Sequence, residues 1–207
     1  MRVIGGEFRS RRLKSLPGLA LRPTPDRLRE ALFNVLSPRI EGSLFLDAYA
    51  GCGAVGIEAL SRGASRAIFI ERHRPAVRVI AENLKALGLD ARALVLCGRA
   101  LSHLEKHAAG IVFLDPPYEQ AGEYEAALNL LGGKAPPLVI AQHPPRISLV
   151  ETYGSLRCVR VLKQGDNILS FFGPASAEPL AGRLGASGAE ALLDYERQHG
   201  QSRVTGE

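Results

Sequence analysis

The fold is decided by residues 110–118, which read Gly-Ile-Val-Phe-Leu-Asp-Pro-Pro-Tyr. The apolar run between Gly110 and Asp115 predicts a buried central strand of a parallel sheet. Ligands of open α/β sheets bind at the carboxyl ends of such strands, so we expect Asp115 and Tyr118 at the rim of a cleft. The two prolines restrict the backbone and carry no N–H, so this turn is rigid and presents carbonyl groups.

A turn with these residue types can hold an amino group. The Asp115 carboxylate and the Pro116 carbonyl can both accept hydrogen bonds from a planar exocyclic NH2, which leaves the nitrogen lone pair free to face an electrophile. Tyr118 offers a ring on which a base can stack, for about 1–3 kcal/mol. These three are the candidate catalytic residues. The alternative is a tight turn in which Asp115 only caps the next segment.

Outward from this stretch, apolar runs alternate with segments of helical periodicity. Further strands are predicted at 44–48, 67–70, 92–96 and 138–141, with a closing hairpin of strands at 156–162 and 167–172. Helices are predicted at 57–62, 73–87, 100–107 and 123–131. The alternation predicts an α/β fold with a mostly parallel, doubly wound sheet, helices on both faces and an antiparallel edge.

One more helix is predicted before the sheet. Thr24 is expected as its N-cap and Pro25 as its first residue, and the helical spacing ends at Pro38. Arg29 is expected on the open side of this helix. Near the end of the chain, residues 189–199 have a weaker helical pattern.

Composition divides the chain into three parts. The 207 residues, 46% hydrophobic and 23% charged, suffice for one globular domain with an appendage. We expect a basic amino-terminal arm or hairpin at 1–22, the main domain at 23–173, and a flexible segment rich in Ala, Gly, Ser and Pro at 174–207. Neither a membrane-spanning stretch nor a signal peptide is expected.

The potential metal and disulfide ligands are scattered. Three widely spaced cysteines, Cys52, Cys97 and Cys158, favour a reduced, cytoplasmic protein without a disulfide framework or a zinc site. Cys52 is expected to fill space in a loop, since no base lies near it in the sequence. The five histidines lack ligand spacing and are expected at the surface: His73, His103, His107, His143 and His199. We therefore expect no metal.

Positive charge is concentrated at the amino end. Residues 1–40 contain nine Lys and Arg residues against three acids, while the remainder is nearly neutral. Most of the nine are arginines, which suit bidentate contact with phosphate, so this end favours nucleic acid as a partner. A solubilising segment is the alternative.

A glycine-rich loop follows the first predicted strand. Gly51, Gly53 and Gly56 match the dinucleotide-binding fingerprint, and Glu71 lies 20 residues after Gly51. Asp47 at the end of the strand would repel a pyrophosphate but would favour a cationic ligand. S-adenosylmethionine carries a sulfonium, an ammonium and no phosphate. Glu71 could accept hydrogen bonds from ribose hydroxyls of either cofactor.

These motifs resemble a known family. Residues 47–64, which read Asp-Ala-Tyr-Ala-Gly-Cys-Gly-Ala-Val-Gly-Ile-Glu-Ala-Leu-Ser-Arg-Gly-Ala, together with 115–118, resemble Class I S-adenosylmethionine-dependent methyltransferases. Two further stretches resemble the RsmD family, namely Val-Ile-Gly-Gly-Glu-Phe-Arg-Ser-Arg-Arg-Leu at 3–13 and Arg-Pro-Thr-Pro-Asp-Arg-Leu-Arg-Glu-Ala-Leu-Phe-Asn at 22–34. That family methylates the exocyclic N2 of a guanine in bacterial small-subunit (16S) ribosomal RNA. The resemblance spans about residues 1–173.

The resemblance implies a Rossmann-like, seven-stranded sheet in the order 3-2-1-4-5-7-6. It implies S-adenosylmethionine as the cofactor, bound by Asp47, Tyr49, Gly51, Gly53, Glu71, Arg99 and Ala100. It also implies ribosomal RNA as the substrate, with Arg22 and Thr24 near the cleft. Arg9, Arg11 and Arg12 of the basic arm are expected to contact the RNA, and a small arm without a separate RNA-binding domain favours an assembled or assembling small subunit. A monomer is favoured.

Arg99 departs from the wider methyltransferase pattern. The matching position usually has an acidic or amide side chain that faces the adenine amino group, and a guanidinium cannot accept a hydrogen bond. Either backbone groups of residues 98–100 serve instead, or adenine is bound in another way.

Three other functions remain open. An adenine-N6 DNA methyltransferase uses the same Asp-Pro-Pro-Tyr chemistry, but such enzymes generally need a sizeable target-recognition insert, and the loops here are short. An NAD(P)-dependent oxidoreductase would rest on the glycine pattern alone. A non-catalytic RNA-binding protein would bind RNA and transfer no methyl group.

Overall fold

The computed structural model describes residues 1–16, 24–134 and 136–176. Eight strands are found there: β1 (Leu44–Asp47), β2 (Arg66–Glu71), β3 (Ala93–Cys97), β4 (Ile111–Leu114), β5 (Leu138–His143), β6 (Thr152–Tyr153), β7 (Leu156–Gln164) and β8 (Asn167–Pro174). The α-helices of this part are α1 (Asp26–Ile40), α2 (Ala54–Ser61), α3 (Arg74–Leu87), α4 (Ala100–Leu104) and α5 (Ala121–Gly132). Arg22, His199 and the helix predicted at 189–199 lie outside the described residues.

The strands form one sheet in the order β3-β2-β1-β4-β5-β8-β7-β6. Strands β1 to β5 pair in parallel, whereas β8, β7 and β6 pair antiparallel, so the predicted α/β fold with an antiparallel edge is confirmed. The first five strands follow the predicted order 3-2-1-4-5, and β8 and β7 occupy the places predicted for the seventh and sixth strands. The eighth strand, β6, was not predicted, because a two-residue strand has no periodicity to detect.

The order of the sheet reverses beside β1. From β1 the chain adds β2 and β3 on one side, then crosses to β4 and β5 on the other. The parallel register pairs Phe45 with Ile111 and Asp47 with Phe113, so β1 and β4 end side by side at the same edge. A cleft at this edge is the expected consequence of such a reversal.

Helices cover both faces of the sheet, as predicted. On one face, buried residues of α1 pack with Phe45, Phe113 and Ile140. On the opposite face, Tyr124 and Leu128 of α5 pack with neighbouring strand residues. Within residues 1–16, 24–134 and 136–176, no helix has both the length and the apolarity needed to cross a bilayer.

Helix boundaries differ from the prediction at α1 and α4. Pro25, not Thr24, occupies the N-cap of α1, and the helix continues past Pro38 to Ile40. Leu36 and Ile40 are both buried, and packing against the sheet compensates for the hydrogen bond that a proline cannot donate. Helix α4 ends at Leu104, before the predicted end at residue 107.

The prediction that His143 lies at the surface is wrong. Strand β5 continues two residues beyond its predicted end, and His143 is only 1% exposed. Its Nε2 lies 2.8 Å from the Ser170 hydroxyl, and its ring packs edge-on against Tyr124. Burial lowers the pKa of His143, which favours the neutral imidazole.

The amino-terminal loop is fastened to α2 by a buried carboxylate. Within residues 1–16, an antiparallel bridge between Arg2 and Arg12 joins the two ends of the loop. The Glu58 carboxylate, fully buried, accepts the backbone N–H groups of Ile4 and Gly5, each at 2.8 Å. The three-part division at 1–22, 23–173 and 174–207 stays a prediction.

Arg29 is not on the open side of α1, so that expectation is wrong. It is fully buried and forms ion pairs with Asp26 at 2.7 Å and Glu58 at 3.8 Å. It also donates a hydrogen bond to the Arg2 carbonyl at 2.9 Å. Because an unpaired buried charge is costly, Glu58 and Arg29 require each other.

We expect Glu58→Ala to destabilise the protein by about 3–5 kcal/mol, because the change removes one of the two carboxylates paired with the buried Arg29 and also the acceptor of the Ile4 and Gly5 N–H groups. Urea unfolding measures the loss, and amide hydrogen exchange at Ile4 and Gly5 should accelerate. The control is Glu82→Ala, which removes an exposed pair with Lys14 and should change little. Equal stabilities of the two variants would contradict the anchoring role of Glu58.

Candidate active site

A cleft of about 440 Å³ opens where β1 and β4 end. We call it the main cleft. The loop after β1, the turn after β4 and the start of α1 surround it. Seven of the predicted site residues line it together: Thr24, Asp47, Tyr49, Gly51, Asp115, Pro116 and Tyr118. Residues separated by up to 94 positions in the sequence thus meet in one place, although their functional roles stay predictions.

The glycines of the loop meet two different requirements. Gly51 and Gly53 have left-handed backbone angles, with φ of 56° and 84°, which let the loop turn sharply into α2. A Cβ on Gly56 would overlap the Phe69 ring, so this glycine allows close packing of α2 on β2. The Gly56 N–H donates to the Asp47 carboxylate at 3.0 Å, which fixes Asp47 at the start of the helix.

Asp47 is an acid in an unfavourable place for negative charge. It is 1% exposed, and burial raises its pKa to about 7. The nearby charge of Glu71 raises the pKa further, while the hydrogen bond from Gly56 lowers it. A positively charged ligand would compensate this desolvated carboxyl, whereas a phosphate would add to the repulsion.

Glu71 supports the glycine loop from behind. Its carboxylate accepts the Gly51 N–H at 2.9 Å and the His73 N–H at 2.8 Å. Each carboxylate oxygen keeps a second lone pair, so further hydroxyl donors can still bind. Two predicted cofactor-binding residues, Gly53 within the glycine loop and Glu71 behind it, do not line the main cleft.

Asp115 stands opposite Asp47 across the ends of the two strands. Burial raises the pKa of Asp115 to about 8, and the charge of Asp47 raises it further. A hydrogen bond from the Thr24 hydroxyl acts the other way. Thr24 is therefore not the helix cap that the sequence suggests but a partner of the Asp115 carboxyl.

The turn after Asp115 is braced by the carboxyl-terminal half of the sheet. The Tyr118 hydroxyl donates to the Asn167 side-chain oxygen at 3.1 Å, and the Arg146 guanidinium carbon lies 5.7 Å from the Tyr118 ring centroid. The Tyr124 hydroxyl donates to the Gln142 carbonyl at 2.8 Å, with the Pro116 carbonyl at 3.4 Å. Sequence reasoning missed Arg146 and Asn167, because neither belongs to a motif.

A second, open cavity lies at the ends of β2 and β3. We call it the side cavity; its lining residues are Arg72, Arg99, Gln120, Gly122 and Glu123. Arg99 follows β3, as predicted, but Ala100 is buried in α4 and lines neither cavity. Sequence reasoning also missed Glu123, whose Oε2 accepts the Tyr49 hydroxyl at 2.9 Å and whose Oε1 lies 3.7 Å from Arg99.

Three of the predicted RNA-contacting arginines lie outside the main cleft. Arg9, Arg11 and Arg12 are exposed on the amino-terminal loop. The same loop contributes Met1, Ser15 and Leu16 to the lining of the main cleft. The amino-terminal loop therefore bears the exposed arginines and also lines part of the main cleft.

The cysteines are reduced in this structure. Cys52, Cys97 and Cys158 are free thiols, and Cys52 lies 3.6 Å from the Met1 sulfur. Burial raises the pKa of the Cys52 thiol, so it is a poor nucleophile at neutral pH. This agrees with its expected role as a space-filling side chain.

Known proteins share both the fold and the sequence pattern. The family model described as "Conserved hypothetical protein 95" matches residues 1–173. YlbH, a candidate rRNA methyltransferase of Bacillus subtilis, is 38% identical over 169 residues, which cover 77% of this chain and 91% of YlbH. Ribosomal RNA small subunit methyltransferase D of Escherichia coli is 43% identical over 133 residues, 63% of this chain and 66% of its own.

A solved structure agrees. The structure of YhhF, a candidate methyltransferase of Escherichia coli, superposes with a TM-score of 0.74 at 34% identity, covering 86% of this chain and 98% of YhhF. The fold is that of a methyltransferase with a Rossmann-like sheet. The matched residues coincide with the extent of the resemblance read from the sequence, and the chain belongs to the RsmD family.

The two acids make stability depend on pH. In the folded protein the pKa of Asp47 is about 7 and that of Asp115 is about 8, whereas the ordinary value is 3.8. At pH values between the ordinary and the raised pKa, the folded protein therefore binds more protons than the unfolded chain. Stability should therefore fall as the pH rises from about 4 to about 8, by up to ~1.4 kcal/mol per pH unit for each titrating carboxyl.

We expect Asp115→Asn to flatten this dependence, because an amide needs no proton in order to be buried neutral. Urea unfolding at several pH values between 5 and 8 measures the slope. Asp90→Asn, at an exposed position remote from the main cleft, is the matched control and should keep the wild-type slope. A slope unchanged by Asp115→Asn would contradict the raised pKa.

Proposed function

We propose that this protein transfers a methyl group from S-adenosylmethionine to the exocyclic N2 of a guanine in small-subunit ribosomal RNA. One observation carries the proposal: the glycine loop after β1 and the Asp-Pro-Pro-Tyr turn after β4 line the same cleft. The names of the relatives in Escherichia coli and Bacillus subtilis support ribosomal RNA as the substrate.

The donor side fits S-adenosylmethionine. This cofactor supplies a methyl group on a positively charged sulfur. The buried Asp47 carboxyl, with its raised pKa, favours a cation, and the Gly51 and Gly53 backbone lets a ligand approach closely. Glu71 is suited to accept ribose hydroxyls with its remaining lone pairs. In this assignment Tyr49 lines the pocket, and the residues at 99 and 100 adjoin the adenine.

The acceptor side fits an amino group. The Asp115 carboxylate and the Pro116 carbonyl accept the two hydrogens of the guanine N2, while the Tyr118 ring packs against the base. Held in this way, the nitrogen presents its lone pair to the donor side of the main cleft, and positioning supplies much of the rate. Methylation releases one proton from the nitrogen. The ionised form of Asp115 can accept that proton, and its raised pKa of about 8 makes it a stronger base than an ordinary carboxylate.

The RNA would reach the cleft across the amino-terminal loop. Exposed Arg9, Arg11 and Arg12, together with Arg22, suit phosphate contacts, and Thr24 adjoins the acceptor residue Asp115. A small basic segment without a separate RNA-binding domain suits a preformed ribonucleoprotein, so we propose the assembled or assembling subunit as the substrate. We place the reaction in the cytoplasm and assign no role to residues 174–207.

Two of the alternatives are less well supported. The connection from β4 to α5 occupies only residues 115–120, which leaves no space there for the target-recognition insert of an adenine-N6 DNA methyltransferase. For an NAD(P)-dependent enzyme, the desolvated Asp47 beside the glycine loop would face a pyrophosphate. A non-catalytic RNA-binding protein has no need of an acid with a raised pKa at the ends of both β1 and β4.

Labelled methyl transfer tests the proposal. The protein is incubated with S-adenosylmethionine labelled in the methyl group and with undermodified small subunits, and the RNA is digested to nucleosides. We expect the label in N2-methylguanosine. Label in N6-methyladenosine of DNA would favour the DNA enzyme instead, and RNA binding without any transfer would favour the non-catalytic protein.

We expect Asp115→Ala to lower the rate of methyl transfer by at least about a hundredfold, because the amine loses an acceptor and its released proton loses a base. Binding of S-adenosylhomocysteine, measured by calorimetry, should persist. Asp90→Ala, which removes the same functional group on the surface, should keep the wild-type rate. Full activity of Asp115→Ala would remove the proposed role of this residue.

A further inference from the structure

Glu123 is the acidic side chain that lines the side cavity within the described residues. It lies in the first turn of α5, and its side chain is 19% exposed. Tyr49, which lines the main cleft, donates to its Oε2 at 2.9 Å. The carboxylate therefore stands between the main cleft and the ends of β2 and β3.

The side cavity presents mostly donors to a ligand. Arg72 and Arg99 can only donate hydrogen bonds, so acceptors among its lining side chains are limited to Gln120 and Glu123. Of these two, Glu123 is held in place: Tyr49 binds one carboxylate oxygen, and the Arg99 guanidinium lies 3.7 Å from the other. Within the described residues no donor lies at hydrogen-bond distance from this second oxygen, so it retains acceptor capacity.

An adenine ring has the complementary need. Its exocyclic N6 amino group donates two hydrogens, and a buried donor left without an acceptor weakens binding. If the ribose binds at Glu71, at the end of β2, the attached base can reach the end of the neighbouring strand β3. These are the elements that form the side cavity. The position after β3 itself bears Arg99, which cannot accept.

We propose that Glu123 accepts a hydrogen bond from the N6 amino group of the cofactor adenine, and that Tyr49 and Arg99 hold the carboxylate in position. This inference rests on the proposed function, because it assumes S-adenosylmethionine as the methyl donor. The acceptor that is absent after β3 is then supplied by α5. Arg99 has a positioning role and does not contact the adenine amino group.

Calorimetry with the cofactor product and its inosine analogue tests the assignment without turnover. S-adenosylhomocysteine has the N6 amino group, whereas S-inosylhomocysteine has a carbonyl oxygen in its place, which would face the Glu123 carboxylate unfavourably. We expect the wild-type protein to prefer the adenine compound by about tenfold or more. Glu123→Gln should reduce this preference to near unity, because an amide can rotate to donate to the carbonyl.

Matched variants separate recognition from folding. Glu125→Gln changes an exposed carboxylate on the same helix and should keep the wild-type preference. Arg99→Asp in the Glu123→Gln background places an acceptor at the end of β3, where the replaced side chain is 73% exposed. We expect this double variant to regain preference for S-adenosylhomocysteine, a result that a purely structural role of Glu123 would not produce.

The outcomes are distinguishable. If the wild-type protein binds neither compound, the methyl donor in the proposed function is wrong, and this inference falls with it. If the wild-type protein discriminates and Glu123→Gln discriminates equally well, the role of Glu123 is wrong while the donor stands. Equal weakening of both compounds by Glu123→Gln would make Glu123 a structural residue and would also overturn the proposal.

Discussion

Two carboxyl groups that end neighbouring parallel strands are the constraint on which the site depends. The reversal of strand order beside β1 brings Asp47 and Asp115 to the same edge of the sheet, where burial raises both pKa values and the charge of Asp47 raises that of Asp115 further. Single hydrogen bonds from Gly56 and Thr24 offset only part of this cost. Two buried carboxyl groups at one edge of the sheet lower the stability of the ligand-free protein, and binding of a cationic ligand would restore stability.

The amino-terminal loop is part of the same construction. Glu58 of α2 fixes this loop through Ile4 and Gly5, and α2 begins directly after the glycine loop. The buried Arg29 joins α1 to the same carboxylate, and α1 begins beside Thr24. The loop that bears the exposed arginines is thus connected to α1 and α2, the helices that begin at the two sides of the main cleft.

The sequence was sufficient for the features that depend on local pattern. Apolar runs at 44–48, 67–70 and 111–114 located the central strands, and the glycine loop and 115–118 located the two sides of the main cleft. Long-range polar contacts could not be predicted from the sequence. Arg29 is buried because Glu58, 29 residues later, accepts its charge, and no periodicity in the sequence encodes such a pair. His143 was predicted at the surface because it follows the apolar run at 138–141. Strand β5 in fact continues through His143, which is buried.

Arg99 illustrates a more general limit. A motif assigns a function to a position in the chain, whereas a ligand interacts with an atom at a position in space. Tyr49 and Glu123 are 74 residues apart, yet their side chains meet at 2.9 Å beside Arg99. A carboxylate lost from the end of one strand can therefore be replaced from a helix that packs nearby. Because that helix follows directly from the Asp-Pro-Pro-Tyr turn, an adenine bound by Glu123 would also restrain the segment that holds the target base.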